Sequence, residues 1–209
     1  MMFPALYRGF FLHPRATALR LLADERRVRL GFLALLVPLL GYVIVYAGLS
    51  QSGAYPSAFS PWLAIPAEHY YRYNVFLLPP GILAAWLLAS SVVQLLGRPL
   101  GARGTFEDTA SVLGFAISAA SWALLPHDLT VAILGATHLI DGRAHEHAMN
   151  APTLARHVLW FFAAVYLVAF PIYFTKALAA AHHLKTGAAT LLGITGFLIY
   201  QLVFVLFNR

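Results

Sequence analysis

The chain has 209 residues, of which 60% are hydrophobic and only 11% charged, where soluble domains average about a quarter charged. The deficit is concentrated in runs of about 20 apolar residues, the length that crosses a hydrocarbon core of about 30 Å, so a water-soluble domain is excluded. With no cysteine in the sequence, disulfides, thiolate metal sites, iron–sulfur clusters and cysteine nucleophiles are excluded as well.

Residues 1–29 read as a cytoplasmic N-terminal segment. Between Pro14 and Arg29, Ala16, Leu19, Leu22 and Ala23 recur at helical spacing while Arg15, Arg20 and Arg27 fall on other faces. This pattern predicts a short amphipathic helix lying in the plane of an anionic membrane surface. A cleaved signal peptide is rejected, because 29 residues precede an apolar run too long for a signal core.

Residues 30–209 read as one membrane domain, all-α, with five spans: Leu30 to Leu49, Asn74 to Leu96, Thr109 to Leu125, Val158 to Thr175 and Gly187 to Phe207. The loop from Ser50 to Tyr73 carries Trp62, His69, Tyr70, Tyr71 and Tyr73, rings that favour the headgroup level and predict an interfacial anchor. Span two meets Pro79-Pro80-Gly81 early; two missing backbone donors predict a kink or local unwinding there. In the second loop, Thr105 and Asp108 have the spacing of a capping box at the start of span three, and Glu107 and Asp108 complement its dipole. The loop glycines lack the Gly-Lys-Ser/Thr of a phosphate loop, so nucleotide binding is not implied.

None of the five assigned cores contains Asp, Glu, Lys, Arg or His, which disfavours a proton-coupled pump. They do contain small residues. Gly114 with Ser118, and Ala189 with Gly193, have the four-residue spacing that lets helices approach closely, placing spans three and five inside the bundle. Gln94 and Gln201 are expected to hydrogen-bond between helices.

Five spans put the termini on opposite sides, and Lys/Arg placement orients them. Arg8, Arg15, Arg20, Arg26, Arg27, Arg29, Arg98, Arg103, Lys176 and Lys185 fall on one side; Arg72, Arg143, Arg156 and Arg209 fall on the other. The N-terminus is therefore expected in the cytoplasm and the C-terminus outside. The net charge of +6 is thus an expression of topology, not a nucleic-acid footprint.

The stretch from Pro126 to His157 is distinctive. Leu129 to Ile140 is apolar for too few residues to span and predicts an interfacial or re-entrant helix. Around it stand His127, Asp128, His138, Asp141, His145 and His147, with Glu146 and His157 nearby. Imidazole and carboxylate are the ligands divalent ions such as zinc prefer, so these six form a candidate metal site, His138 and Asp141 sharing a helix face. No His-Glu-x-x-His pattern accompanies them, and no other cofactor is implied.

The approach to span one (Pro14-Arg15, Leu19 to Leu22), the stretch Gly104-Thr105-Phe106-Glu107-Asp108-Thr109-Ala110-Ser111-Val112-Leu113-Gly114-Phe115, Pro126 after span three, and the Ala/His-rich approach to span five at Ala179 to Ala189 together resemble the Yip family. These are the Ypt/Rab-interacting five-span membrane proteins and their prokaryotic relatives. The resemblance implies five spans, a cytoplasmic N-terminus and partner binding without enzymatic activity. The short N-terminal segment departs from the eukaryotic pattern and points to a bacterial inner-membrane relative. The function expected is a non-enzymatic scaffold or adaptor whose partners are the lipid bilayer and a membrane protein or further copies of the chain. The alternatives are a channel or transporter for a small solute or divalent cation, and a membrane-embedded metal or haem enzyme using the histidines.

Overall fold

The structure, a computed structural model, describes residues 3–56, 63 and 65–208. In lipid, backbone polar groups have to be paired within a segment, and the described residues achieve this as helices. In order these are α1 (Phe3–Leu12), α2 (Pro14–Leu22), α3 (Arg27–Gln51), α4 (Tyr70–Gly97), α5 (Phe106–Ser121), α6 (Leu125–Ala136), α7 (Gly142–Ala148), α8 (Leu154–His182) and α9 (Thr186–Asn208). The chain is a polytopic helical bundle. Helices α3, α4, α8 and α9 are each long and apolar enough to cross a bilayer, and α5 with α6 passes the same test as a pair bent by 55°.

That pair runs the length of α3 in the same direction. A Cβ added at Gly31 would lie 2.7 Å from the Ser111 backbone, one at Gly41 2.7 Å from Leu125, and one at Gly48 3.0 Å from the Ala132 carbonyl oxygen. Successive α3 glycines thus meet successive residues of α5 and α6, from the end carrying Arg27, here the basic face, to the end carrying Ser52, the far face. The two helices form one bent crossing, which gives five in all. Residues 122–124 form the turn between them, and Pro126 in the first turn of α6 has no N–H to return to the preceding helix.

This corrects two expectations. The third span does not stop at Leu125, and Leu129 to Ile140 is not a separate interfacial helix: Leu125–Ala136 is the far half of the span. The crossings are consequently not free of ionisable groups, since His127 and Asp128 lie in α6, between the levels fixed by the Gly41–Leu125 and Gly48–Ala132 contacts. An apolar-window reading stops at a charge, whereas a bundle buries one against its own interior.

Small residues make α5 the centre of the bundle. Every residue from Thr109 to Ser121 is buried, and α5 packs on α3, α8 and α4. At Gly114 a Cβ would strike the Gly31 carbonyl, so the two backbones are in contact there. Span five is less enclosed than expected. Only one face of α9, with Ala189, Leu192, Gly193 and Tyr200, is covered, and a Cβ at Gly193 would meet Thr175 of α8.

Helix α4 continues unbroken through Pro79 and Pro80, so the expected unwinding does not occur. Gly81 instead brings α9 close, a Cβ there lying 2.8 Å from Phe207. At the N-terminus the predicted in-plane helix is shorter than expected: α2 ends at Leu22, and a turn precedes α3. In that turn Arg26 donates side-chain and backbone hydrogen bonds to Asp24 and holds its pKa down at about 2.

Helix α1 was not anticipated. Phe3, Tyr7 and Phe10 pack their rings on Phe115, with centroids 6.0, 6.4 and 5.4 Å away. The Tyr7 hydroxyl lies 2.8 Å from Ser118 Oγ and accepts from Trp122 Nε1 at 2.7 Å. The N-terminal helices are therefore docked on the bundle, α1 on α5 and α2 on α8.

Gly114→Ala should push the α3 and α5 backbones apart and destabilise the bundle by about 1–3 kcal/mol. Gly187→Ala, where a Cβ meets nothing within 4 Å, should be neutral or slightly stabilising. Thermal unfolding of the purified variants in detergent checks both, and equal midpoints would contradict the packing described.

Candidate functional site

Two polar constellations stand out, one in the far half of the bundle and one at the basic face. In the far half, α6 follows α3 and parts from α8, whereas α5 packs on both. The divergence leaves a cavity of about 630 Å³ walled by α3, α4, α6, α8 and α9, with His145 and Glu146 of α7 and the following Met149 closing it. Its walls are mainly apolar, and its polar groups are Tyr42, Tyr46, Tyr70, Tyr71, His127, Asp128, His145, Glu146, Tyr166 and Gln201.

These groups are positioned by one another. His127 Nδ1 lies 3.0 Å from Asp128 Oδ1, and the His127 ring sits 5.6 Å from that of Phe162. The Tyr71 hydroxyl donates to Glu146, tying the start of α4 to α7. Tyr46 stacks on Tyr71 at 5.6 Å and meets Tyr70 edge-on at 6.3 Å. The Tyr166 hydroxyl donates to Gln201 Oε1 at 3.3 Å, the interhelical use expected of that glutamine. Burial, and then the nearby His127, hold the His145 imidazole below its usual pKa.

Of the six residues proposed as metal ligands, the cavity brings together His127, Asp128 and His145. The other three lie apart from it. Helix α6 ends before His138, whose φ of +57° turns the chain, so His138 and Asp141 share no helix face. Asp141 caps α7 by accepting from Arg143 N at 2.8 Å and Ala144 N at 3.0 Å. Those two backbone hydrogen bonds, Ala144 foremost, keep its carboxyl below the usual range. His147 is exposed, edge-on to Tyr55 at 6.3 Å. Among the described residues, no three His, Asp or Glu side chains are grouped so as to hold a metal ion.

The loop-one aromatics also divide. Tyr70 and Tyr71, expected as interfacial anchors, are buried in the cavity wall, while Tyr73 is half-exposed. Trp62 lies outside the described residues, as does Arg209. Tyr42 and Tyr166 were missed as cavity residues; their only signal was a phenol hydroxyl inside an apolar run, which needs a polar partner when buried.

At the basic face the anticipated capping box is present. Thr105 Oγ1 accepts from Asp108 N at 3.2 Å and Asp108 Oδ2 accepts from Thr105 N at 2.9 Å. Arg27, counted above only as a topological charge, donates to Asp108 Oδ1 at 2.7 Å and to Glu107 Oε2 at 3.2 Å, joining α3 to α5.

Behind this pair lies a closed network around His182, the last residue of α8 and fully buried. Gly104 N donates to His182 Nδ1 at 3.2 Å, so that nitrogen carries no proton. His182 Nε2–H is then the donor to Thr109 Oγ1, 3.0 Å away. The Thr109 hydroxyl has Gln94 Oε1 at 2.8 Å and Thr105 O at 2.9 Å as acceptors, and Gln94 Nε2 donates to Gly104 O at 2.9 Å. A neutral imidazole satisfies every member. A Cβ at Gly104 would strike the Ala181 carbonyl, so only glycine lets the loop approach this closely.

Replacing His182 by Ala leaves the Gly104 N–H and the Thr109 hydroxyl short of a partner, at a cost of about 1–3 kcal/mol. The second loop should loosen, and trypsin should cut at the exposed Arg103 several-fold faster than in the unsubstituted protein. Unchanged cleavage would contradict the latch.

Over residues 8–207 the sequence matches the Yip1 domain. No curated protein and no solved structure matches it. The match runs from α1 to α9 and takes in both constellations, and the chain belongs to the Yip1 domain family of membrane proteins.

Proposed function

We propose that the protein is a non-enzymatic scaffold or adaptor of the Yip type, holding membrane proteins or copies of itself together in a bacterial inner membrane. The observation that carries this reading is the basic face, a charged surface held rigid by its own hydrogen bonds. The second loop is pinned by Gln94, Thr109 and His182, and its helix start is clamped by Arg27. Arg20, Arg26 and Arg29 flank Arg27 in sequence, Arg98 and Arg103 lie in the second loop, and Lys176 and Lys185 lie within seven residues of His182; all are exposed.

With Arg27, these eight cations outnumber Asp24, Glu25, Glu107 and Asp108 and leave this face net positive. Such a charge favours the cytoplasmic side of the membrane, with the C-terminus exoplasmic after five crossings. A preorganised charged surface suits partner binding, because little ordering entropy remains to be lost on docking. It also attracts anionic headgroups over about a Debye length. The proposal requires no metal or other cofactor, and nucleic acid is not among the partners.

The second reading is a channel or transporter for a small solute or divalent cation. Asp128, a carboxylate within a membrane crossing, favours it; the close packing of α5 on α3 and α8 between cavity and basic face speaks against a through path.

Photo-crosslinkers placed at Arg20 and Arg103 should capture a partner or a second copy in native membranes. Charge reversal at neighbouring exposed arginines should reduce the yield at least several-fold. Monomer alone, together with ion or solute flux in liposomes that is lost in Asp128→Asn, would overturn the scaffold in favour of a transporter.

A further inference from the structure

The far-half cavity has no part in the basic-face contacts, and its composition specifies a ligand. At about 630 Å³ it lies within the roughly 300–1,000 Å³ of small-molecule sites. Its charged lining is Asp128 and Glu146, accompanied by two imidazoles and by neither lysine nor arginine among the described residues. A carboxylate held inside a membrane crossing marks a binding site or a path. Asp128 Oδ1 is paired with His127 at 3.0 Å, and the carboxylate lines the cavity. Five tyrosines share the lining, Tyr71 donating to Glu146, and aromatic faces attract cations, most strongly where water is excluded.

The rest of the wall is aliphatic and aromatic, which suits hydrocarbon rather than a hydrated inorganic ion. The wall is also unsealed. Leu167 and Leu198 line the cavity and are 51% and 58% exposed, so a ligand dissolved in the membrane has lateral access. Two carboxylates and several tyrosines in the wall of an apolar chamber open to lipid are complementary to one chemistry: a positively charged amine on a hydrocarbon body.

We propose that the cavity between α6, α8 and α9 binds an amphiphilic amine, its ammonium at Asp128 and Glu146 and its hydrocarbon body along α8 and α9. The amine comes either from a lipid headgroup or from a free alkylamine. The site is independent of the scaffold reading, which rests on the opposite face.

The test uses the full chain in maltoside detergent, titrated with dodecylamine, dodecanol and dodecyl sulfate below their micellar concentrations and followed by thermal shift and native mass spectrometry. Dodecylamine should bind saturably and at least tenfold more tightly than the other two. Asp128→Asn should weaken it about tenfold, and Ala163→Phe, which fills the chamber without touching its charge, should abolish it. A parallel arm compares retention of phosphatidylethanolamine and phosphatidylglycerol. Preferential, Asp128-dependent retention of phosphatidylethanolamine supports the site with a lipid as the source, and dodecylamine binding alone supports it with a free amine. Equal binding of all three tails, binding that persists in Ala163→Phe, or competition by millimolar calcium or magnesium equal to that of dodecylamine would overturn the proposal. If Asp128→Asn is not monodisperse, Ala163→Phe and the comparison of tails still decide the matter.

Discussion

The contact on which the bundle depends is the backbone approach of α3 and α5 at Gly31 and Gly114. Between helices in lipid there is no hydrophobic drive to associate, so close van der Waals packing and interhelical hydrogen bonds hold them. Glycines at both positions let the two backbones touch, and serines and alanines along α5 extend that contact to α8 and α4. Trp86 Nε1 donates to the Ala110 carbonyl at 2.9 Å, adding a directional bond between α4 and α5. With α5 fixed this way, its first residues set the position of the second loop and its last residues set where the bend begins. Below the bend the bundle is solid; above it, α6 stays with α3 and the interior opens.

The two polar constellations follow from that division. At the basic face the loop meets tightly packed helix ends, and its polar atoms close on the fully buried His182 and Thr109 and on Gln94. In the far half the helices diverge, and the polar atoms of Asp128, Glu146 and the tyrosines border a chamber. Burying a carboxylate at the centre of a crossing costs about 2.5–3.5 kcal/mol on insertion scales. In this protein the cost is offset by placing Asp128 toward the bundle interior, beside His127, and not toward the acyl chains.

Five crossings, the capping box of α5 and the bridging roles of Gln94 and Gln201 were legible in the sequence because each rests on local spacing or on a strong polar group in an apolar run. The extent of span three was not. A window over Leu129 to Ile140 counts only twelve residues, and the count ends at His127 and Asp128, although the turn after Ser121 merely divides one crossing into two helices. Helix α1 went unread because Phe3, Tyr7 and Phe10 precede the first long apolar run, and their partner, Phe115, lies far along the chain. The candidate metal set combined residues that are near in sequence. His138 turns the backbone and Asp141 caps α7, so only His127, Asp128 and His145 reach the cavity. Its aromatic wall comes from α3, α4 and α8, which no local pattern links.

Because the natural chain has no cysteine, single thiols can be introduced without background. A cysteine at Arg103 and one at His147, labelled in turn in sealed right-side-out and inverted vesicles with a membrane-impermeant maleimide, report the two ends of the bent crossing. If α5 and α6 traverse the bilayer together, each position reacts in only one vesicle orientation, and the two orientations are opposite. Labelling of both positions from the same side would make α5–α6 a re-entrant hairpin, and Asp128 would then have no place within a crossing.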